Sequence, residues 1–405
     1  MINLEERILK SASAIQDDLV KHRRYLHQHP ELSLDLPLTT KYVKERLIEM
    51  GYSPIDCGKS GILVTAGGKN PGKVFLIRGD MDALPIKEET DLEFRSTNNN
   101  MHACGHDLHT SMMLGAAKLL KDMENDIHGT VKLMFQPAEE TLQGAKVMID
   151  AGILENPNVD AAMMIHVMSG FPVPAGTIIL PSPGIGSAAS DWFEIHVKGK
   201  GGHGAIPDST IDPLNIAAHI HIALQAINSR ELPPSETAVL TIGMMKGGTT
   251  SNVIPDTAEL HGTIRTFDQS IRDLIKKRIV EISDFTAKSF RGTAEVKIID
   301  GCPSLSNDKN LVESAEIYFS ELFGEQTVLS MSKLMPGVKM SGSEDFGYVS
   351  EKVPTIMLAV AAGESADNQQ YPMHHPKVRF DDSVLYRGAA AYACMAVRWL
   401  QDNEN

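Results

Sequence analysis

Four cysteines in 405 residues are few, and at positions 57, 104, 302 and 394 they are widely scattered. That spacing argues against a disulfide framework and suits a reducing compartment. Basic residues are outnumbered, 38 Lys and Arg against 52 Asp and Glu, for a formal net charge of -14. No polybasic run and no interleaving of basic with aromatic residues occurs, which disfavours nucleic acid and anionic membrane as partners. No apolar run approaches the length of a transmembrane helix. Residues 1–20 carry charges throughout and lack an apolar h-region, so no signal peptide is visible and the expected location is the cytoplasm. Neither a Gly-x-Ser-x-Gly elbow nor a Walker loop is present, which disfavours a serine hydrolase or a nucleotide enzyme. What remains is the composition of a soluble globular protein, 42% hydrophobic and 22% charged. Its length predicts two domains.

Against that background one stretch stands out. Residues 101–110, Met-His-Ala-Cys-Gly-His-Asp-Leu-His-Thr, hold three histidines, a cysteine and an aspartate just before an amphipathic segment reaching to about Met123. Read as extended chain, Cys104 and His106 project to one side, and Gly105 lets the backbone come close. Thiolate and imidazole both bind zinc and its neighbours. A lone Cys-x-His is common, however, and free cysteine is usually a small buried hydrophobe, so this stretch alone leaves metal binding at about even odds.

The strands raise those odds. A buried-type run at residues 73–78 ends in Gly-Asp-Met-Asp, which places Asp80 and Asp82 at its C-terminal end. Turn chemistry is the bland explanation for them; open α/β sheets, though, gather ligands at strand C-termini. A second such run, 129–136, is followed by Pro137 and by Glu139 and Glu140. Adjacent residues outside a helix point in different directions, so one carboxylate can bind metal while the other handles protons. A solvated acidic pair is the plain alternative. A third run, 159–165, ends at His166. One histidine there would more often be a hydrogen-bonded core residue, but three strands in succession end in a potential ligand. Later, His374 and His375 sit between Pro372 and Pro376, and adjacent histidines cannot easily share one ion.

The rhythm changes near Gly186, after a Gly-, Pro- and Ser-rich stretch from Met168 to Ser190. Phe193, Ile195 and Val197 alternate with polar residues, as do Ala258, Leu260, Gly262 and Ile264, the mark of strands with one wet face. With helices at about 213–228 and 269–290, a strand at 238–245 and a last strand at 294–298, the order is β-α-β-β-α-β, the ferredoxin-like motif. The α/β rhythm resumes after Gly301, predicting an inserted domain at 187–300 within a domain of 1–186 and 301–405. Helices are expected at about 4–28, 38–50, 144–151, 310–323 and 382–400, and a strand at 354–360. Inside the insert, Gly199-Lys-Gly-Gly-His-Gly204 matches the dinucleotide fingerprint as a bare pattern. Pro207 and Pro213 interrupt the residues beyond it, and the preceding strand alternates, so a glycine-rich turn presenting His203 is the better reading.

Cys104, His106, Glu140, His166 and one late histidine exceed the needs of one tetrahedral ion and suit two ions sharing a bridging group. Glu139 is left to take a proton from activated water. With these residues the sequence resembles the aminoacylase and carboxypeptidase family of two-metal amidohydrolases, through His102-Ala-Cys-Gly-His-Asp107, Phe135-Gln-Pro-Ala-Glu-Glu140, Gly202-His-Gly-Ala205 and Gly342-Ser-Glu-Asp-Phe346. More narrowly it is similar to the N-acyl-amino-acid amidohydrolases, hippurate hydrolases and indoleacetyl-amino acid hydrolases. The resemblance spans essentially the whole chain. It implies a mixed α/β catalytic domain with a ferredoxin-like lid that mediates dimerisation or tetramerisation, and two divalent ions (Zn, Mn, Co or Ni). It implies Cys104 as bridging ligand, His106, Glu140, His166 and His374 as the other ligands, and Glu139 as general base. Asp80 and Asp82 would support the ligands from behind, and His203, Asn252 and Arg265 would meet the substrate. The implied substrate is a small N-acyl amino acid, with a dipeptide or carboxypeptidase substrate as the alternative. A catalytically silent metal- or peptide-binding protein is a third reading, which the presence of Glu139 beside Glu140 disfavours.

Overall fold

The computed structural model describes residues 3–170, 172–335, 337, 339–363 and 371–404; Phe171, in the stretch read above as irregular, lies outside them. The chain divides into two compact units. The first comprises Met1–Gly186, Ser306–Val338 and Tyr348–Asn405, and the second Ser187–Leu305 with Lys339–Gly347. The short return segment 339–347 thus joins the inserted unit, whereas the sequence pattern assigned it to the flanking domain.

The first unit is built on an eight-stranded mixed sheet. Its order is Ile55–Asp56, Ile62–Gly67, Thr130–Gln136, Val74–Asp80, Ala161–Met168, Thr355–Ala361, Ile178–Leu180 and Val328–Ser330. The four central strands run parallel, in line with their continuous apolar sequences, and all seven residues of Val74–Asp80 are buried. Ile62–Gly67 and the short outer strands lack such runs and were not legible in the sequence. Over the sheet, helix His106–Asp122 lies against helix Leu385–Asp402 at close range: a Cβ on Gly115 would meet Ala389 Cβ at 2.7 Å, and one on Gly388 would meet Met112 Sδ at 2.2 Å. Tyr392 ties the second of these helices to the sheet, donating to the Arg78 carbonyl at 2.6 Å and accepting from the Ile165 N–H at 2.9 Å. The N-terminal segment predicted as one helix is two, Leu4–Ala14 and Gln16–Gln28, meeting at Ile15.

The second unit is a four-stranded antiparallel sheet in the order Ala238–Gly247, Thr257–Thr266, Ala189–Lys198, Thr293–Asp300, with helices Pro213–Ala226 and Gln269–Ser289. This is the ferredoxin-like arrangement. Asp212 and Asp268 cap the two helices, accepting from Leu214 N–H at 2.9 Å and Ile271 N–H at 3.1 Å. Phe193, Ile195, Val197, Leu260 and Ile264 are buried in its core with Ile216, Ile220, Ile275 and Ile279.

Candidate metal centre

Strand ends and one helix start in the first unit supply the donors. Gly105 has φ +88°, and a Cβ there would lie 2.4 Å from Val167 Cγ2, so conformation and space both require glycine. The chain turns through it directly into helix His106–Asp122. Cys104 and His106 therefore converge across a left-handed turn, not as alternate residues of an extended strand as their spacing suggested. His106 Nδ1–H donates to the Asp82 carbonyl at 2.8 Å, which fixes the tautomer and leaves Nε2 free to bind. That Nε2 is buried without a hydrogen-bond partner. Around it stand Asp80 Oδ2 at 3.7 Å, Glu139 Oε2 at 3.9 Å and Glu140 Oε1 at 3.9 Å.

His166 lies within strand Ala161–Met168, two residues before its end. Its Nδ1–H donates to the Val167 carbonyl at 2.6 Å, and its Nε2 is 3.5 Å from Cys104 Sγ. His374 adopts φ +66°, its N–H donating to the Ala103 carbonyl at 2.9 Å and its Nε2 lying 3.6 Å from Glu140 Oε1. His375 is engaged elsewhere: its ring stacks on Tyr371 with centroids 4.3 Å apart, and its Nδ1 accepts from Lys377 N–H at 3.1 Å. Within the first unit, four sets of ligand atoms lie within 4.8 Å of one another: Cys104, His106 and His166; Cys104, Glu140 and His374; His106, Glu139 and Glu140; Asp80, His106 and His109. Cys104, His106, Glu140, His166, His374 and Glu139 are thus brought together. The His106 Nε2 and Glu140 Oε1 atoms, both buried without a hydrogen-bond partner, fit a cation, and Cys104 belongs to both the His166 and the His374 sets.

Asp82 and Asp80 stand behind the donors. Asp82 accepts from the Glu139 N–H at 3.0 Å and the Glu140 N–H at 3.2 Å, so it holds the turn that presents both carboxylates. Asp80 accepts from Arg78 at 2.7 Å and from His109 Nδ1–H at 2.6 Å. His109, not singled out from the sequence, spends its other nitrogen accepting from Val167 N–H at 2.8 Å. Its signal was present, since His106 and His109 are three residues apart and share a helix face.

Proton affinities reflect this crowding. Burial opposes charge on His106, yet Asp80, Cys104 and Asp82 together outweigh it and hold its pKa well above the usual imidazole range. Burial pushes Glu140 up to about 7 and His166 down to about 3. Burial, with Glu140 beside it, also raises the Cys104 thiol. Burial thus favours the protonated forms of Glu140 and Cys104, and a cation bound there would displace those protons.

The second unit holds the other expected site residues. His203 is exposed on the short strand Gly202–His203, paired in register with Val253, and its Nδ1 accepts from Ala205 N–H at 3.0 Å. Asn252 precedes that partner strand, and its carbonyl accepts from Gly204 N–H at 2.8 Å. Arg265 donates to the Thr263 hydroxyl and, at 3.0 Å, to the Ile264 carbonyl, and Glu259 lies six residues away along the same strand.

The sequence profile of peptidase family M20/M25/M40 matches residues 76–398. The chain belongs to this family. It is 35% identical over 402 residues to N-acetyl-L-cysteine deacetylase of Bacillus subtilis, covering 99% of this chain and 92% of that one. It is likewise 35% identical to thermostable carboxypeptidase 1 of Saccharolobus solfataricus, covering 98% and 99%. Among solved structures, a dinuclear metal binding peptidase of the M20 family from Bacillus subtilis superposes with a TM-score of 0.78 at 33% identity, covering 96% of this chain and 99% of that one. The chain is a hydrolase of this family, with a mixed α/β fold. No helix among the described residues is long and apolar enough to cross a membrane.

Proposed function

We propose that the enzyme hydrolyses the amide bond of N-acyl-L-amino acids to a carboxylic acid and a free amino acid, using two divalent cations. The supporting observation is the convergence of five ligand-type side chains with one further carboxylate, Glu139, in a relative of an N-acetyl-amino acid deacetylase. Cys104 would bridge the cations, and His106, Glu140, His166 and His374 would complete their sites. Thiolate and imidazole favour Zn, Mn, Co or Ni over Mg or Ca. Bound there, the cations supply polarisation of the scissile carbonyl and acidify water. Glu139 takes the proton of the attacking water and passes it to the leaving nitrogen. Asp82 keeps Glu139 and Glu140 on one turn throughout. His203 donates to the developing oxyanion, Asn252 meets the substrate, and the Arg265 fork holds the free carboxylate of the amino-acid half. Four free, scattered cysteines support a reducing, cytoplasmic setting, and the insert serves as the lid through which chains associate as dimers or tetramers.

A carboxypeptidase or dipeptidase activity is the second reading, favoured by the likeness to the carboxypeptidase. A hydrolysis screen of acetyl-, benzoyl- and indoleacetyl-amino acids beside dipeptides, with added Zn²⁺, Mn²⁺, Co²⁺ or Ni²⁺, separates the two. Acyl-amino acids are expected to be the better substrates, and chelation to abolish turnover; full activity of metal-free protein would end the metal reading. Arg265→Ala should cost about 1.5–3 kcal/mol in kcat/KM on an acyl-amino acid and much less on its amide, the scale of a hydrogen bond to a charged group. Equal losses would remove Arg265 from carboxylate recognition.

A further inference from the structure

Behind the turn that carries Cys104 and His106 lies a buried polar group with no part in the chemistry above. Helix Gln16–Gln28, outside the segment matched by the family profile, contributes Arg23 and His27, each about 1% exposed. Asp107, fully buried and next to His106, accepts from Arg23 Nε at 2.7 Å and from His27 Nδ1–H at 2.9 Å through one oxygen, Oδ2. Arg23 reaches on to Asp382 at 2.8 Å, just ahead of the C-terminal helix, and His27 Nε2 reaches Glu88 at 3.3 Å. His102, at the other end of the turn from His106, packs beside His27 with ring centroids 6.4 Å apart and is 1% exposed. Two segments some 80 positions apart therefore meet on the Asp107 carboxylate, and Arg23 and His27 tie it on to Asp382 and Glu88. Such a cluster is costly to bury and weak as a source of stability alone, since apolar residues of similar volume often serve as well. What it can do that apolar packing cannot is fix one orientation of the first turn of helix His106–Asp122.

We infer that Arg23 and His27 are positioning residues: through Asp107 they brace the Cys104–Gly105–His106 turn so that Sγ and Nε2 face one point before any cation arrives. This rests on the metal-centre reading above. The brace makes a distinction between two variants of the same residue. An asparagine amide places its N–H near histidine Nδ1, and a glutamine amide near Nε2. His27→Asn therefore keeps the bond to Asp107 and drops that to Glu88, and His27→Gln does the reverse.

The test is Zn²⁺ affinity of metal-stripped full-length protein, measured by competition with a chromophoric chelator, with thermal melting of the stripped proteins alongside. His27→Asn and Glu88→Gln should bind Zn²⁺ as the wild type does. His27→Gln should lose about 10-fold or more, the scale of disturbing the support of a metal ligand. A purely structural role would lower the melting temperature of the stripped variants without separating their affinities. Should His27→Gln fail to fold, Arg23→Lys, which cannot span Asp107 and Asp382 together, takes its place with the same expected loss. Equal affinities for the Asn and Gln variants, or undiminished affinity for Arg23→Lys, would overturn the brace while leaving the metal centre standing. A wild type that binds no Zn²⁺ would overturn both.

Discussion

Two clusters of histidine and glutamate in this chain have opposite outcomes. At the C-terminal ends of the buried parallel strands, His106, Glu139, Glu140, His166 and His374 crowd around Cys104, and His106 Nε2 and Glu140 Oε1 have no partner. On the four-stranded sheet of the second unit, Glu194 and His196 face His261 and Glu259 in a checkerboard set by register, with N to O separations of 3.5–4.0 Å. Their side chains are about a quarter to a half exposed there. Water reaches most of that second group, His261 Nε2 being the buried exception, so its ion pairs are weak. In the first, strands buried on both faces admit a polar side chain only where it finds partners, as Lys132 does on the Ile153 and Glu155 carbonyls, and the others gather toward the strand ends. Desolvation then forces them either to share protons or to bind a cation. Residue type is the same in both places; burial decides the chemistry.

The largest effect that would sharpen this contrast comes from the adjacent carboxylates. Glu139→Gln should keep metal content and lower turnover roughly 10²–10⁴-fold, the range for general acid–base catalysis. Glu140→Gln should instead lower metal content. Metal analysis showing the reverse would exchange their roles. His196→Ala with His261→Ala, by contrast, should leave metal content unchanged, and loss of an ion in that variant would break the comparison.

A smaller effect tests the second unit's own buried charge. Asp191 is 1% exposed and is gripped by Arg272 at 2.7 Å through both guanidinium arms and by Lys276 at 2.9 Å. Asp191→Ala strands those cations and should cost about 3–5 kcal/mol of that unit's stability, the scale of a broken buried pair. The two tryptophans allow a local readout, for Trp192 lies in the second unit and Trp399 in the first. Denaturant unfolding followed in Trp399→Phe should show the loss, and metal content should not change. An unaltered Trp192 transition would mean the pair is dispensable.

The smallest effect is on acid sensitivity. Burial opposes ionisation of Asp191, yet Arg272 and Lys276 prevail and lower its pKa, so its contribution is present above the usual carboxylate value of about 3.9 and is lost only below it. In the first unit, burial lowers His22 to about 4. The neutral ring is favoured in the fold, so its contribution is present above about 6.5 and is lost as pH falls toward 4. His22→Gln should therefore flatten part of the decline in melting temperature between those values, and Asp191→Ala should not. Identical pH profiles for His22→Gln and wild type would remove the histidine from that window.

Much of this architecture was legible in the chain. The apolar runs at 73–78, 129–136 and 159–165 mark strands buried on both faces because no polar residue interrupts them for long, and the residues just beyond them, Asp80, Asp82, Glu139, Glu140 and His166, gather in the cluster or directly behind it. Alternation at 193–198 and 258–265 marks a sheet with one wet face for the converse reason. The short outer strands Ile178–Leu180 and Val328–Ser330 were not legible, since three residues carry no period. Arg23 and His27 were missed because on a polar helix they read as solvated charges; only packing against helix His106–Asp122 buries them.

By itself the sequence determined which chemistry was available: a thiol, several imidazoles and carboxylates near strand ends, a glycine between two of them, and two adjacent glutamates. It also determined the two rhythms of burial, because periodicity is a local property of the chain. The tertiary structure decided which way each donor turns. It turned His374 toward Glu140 and His375 onto Tyr371, and it set Asp82 under both Glu139 and Glu140. It also brought Arg23 and His27 to Asp107 across some 80 positions. Those outcomes depend on hydrogen bonds between segments far apart in the chain, whose geometry exists only once the sheet and helices have packed.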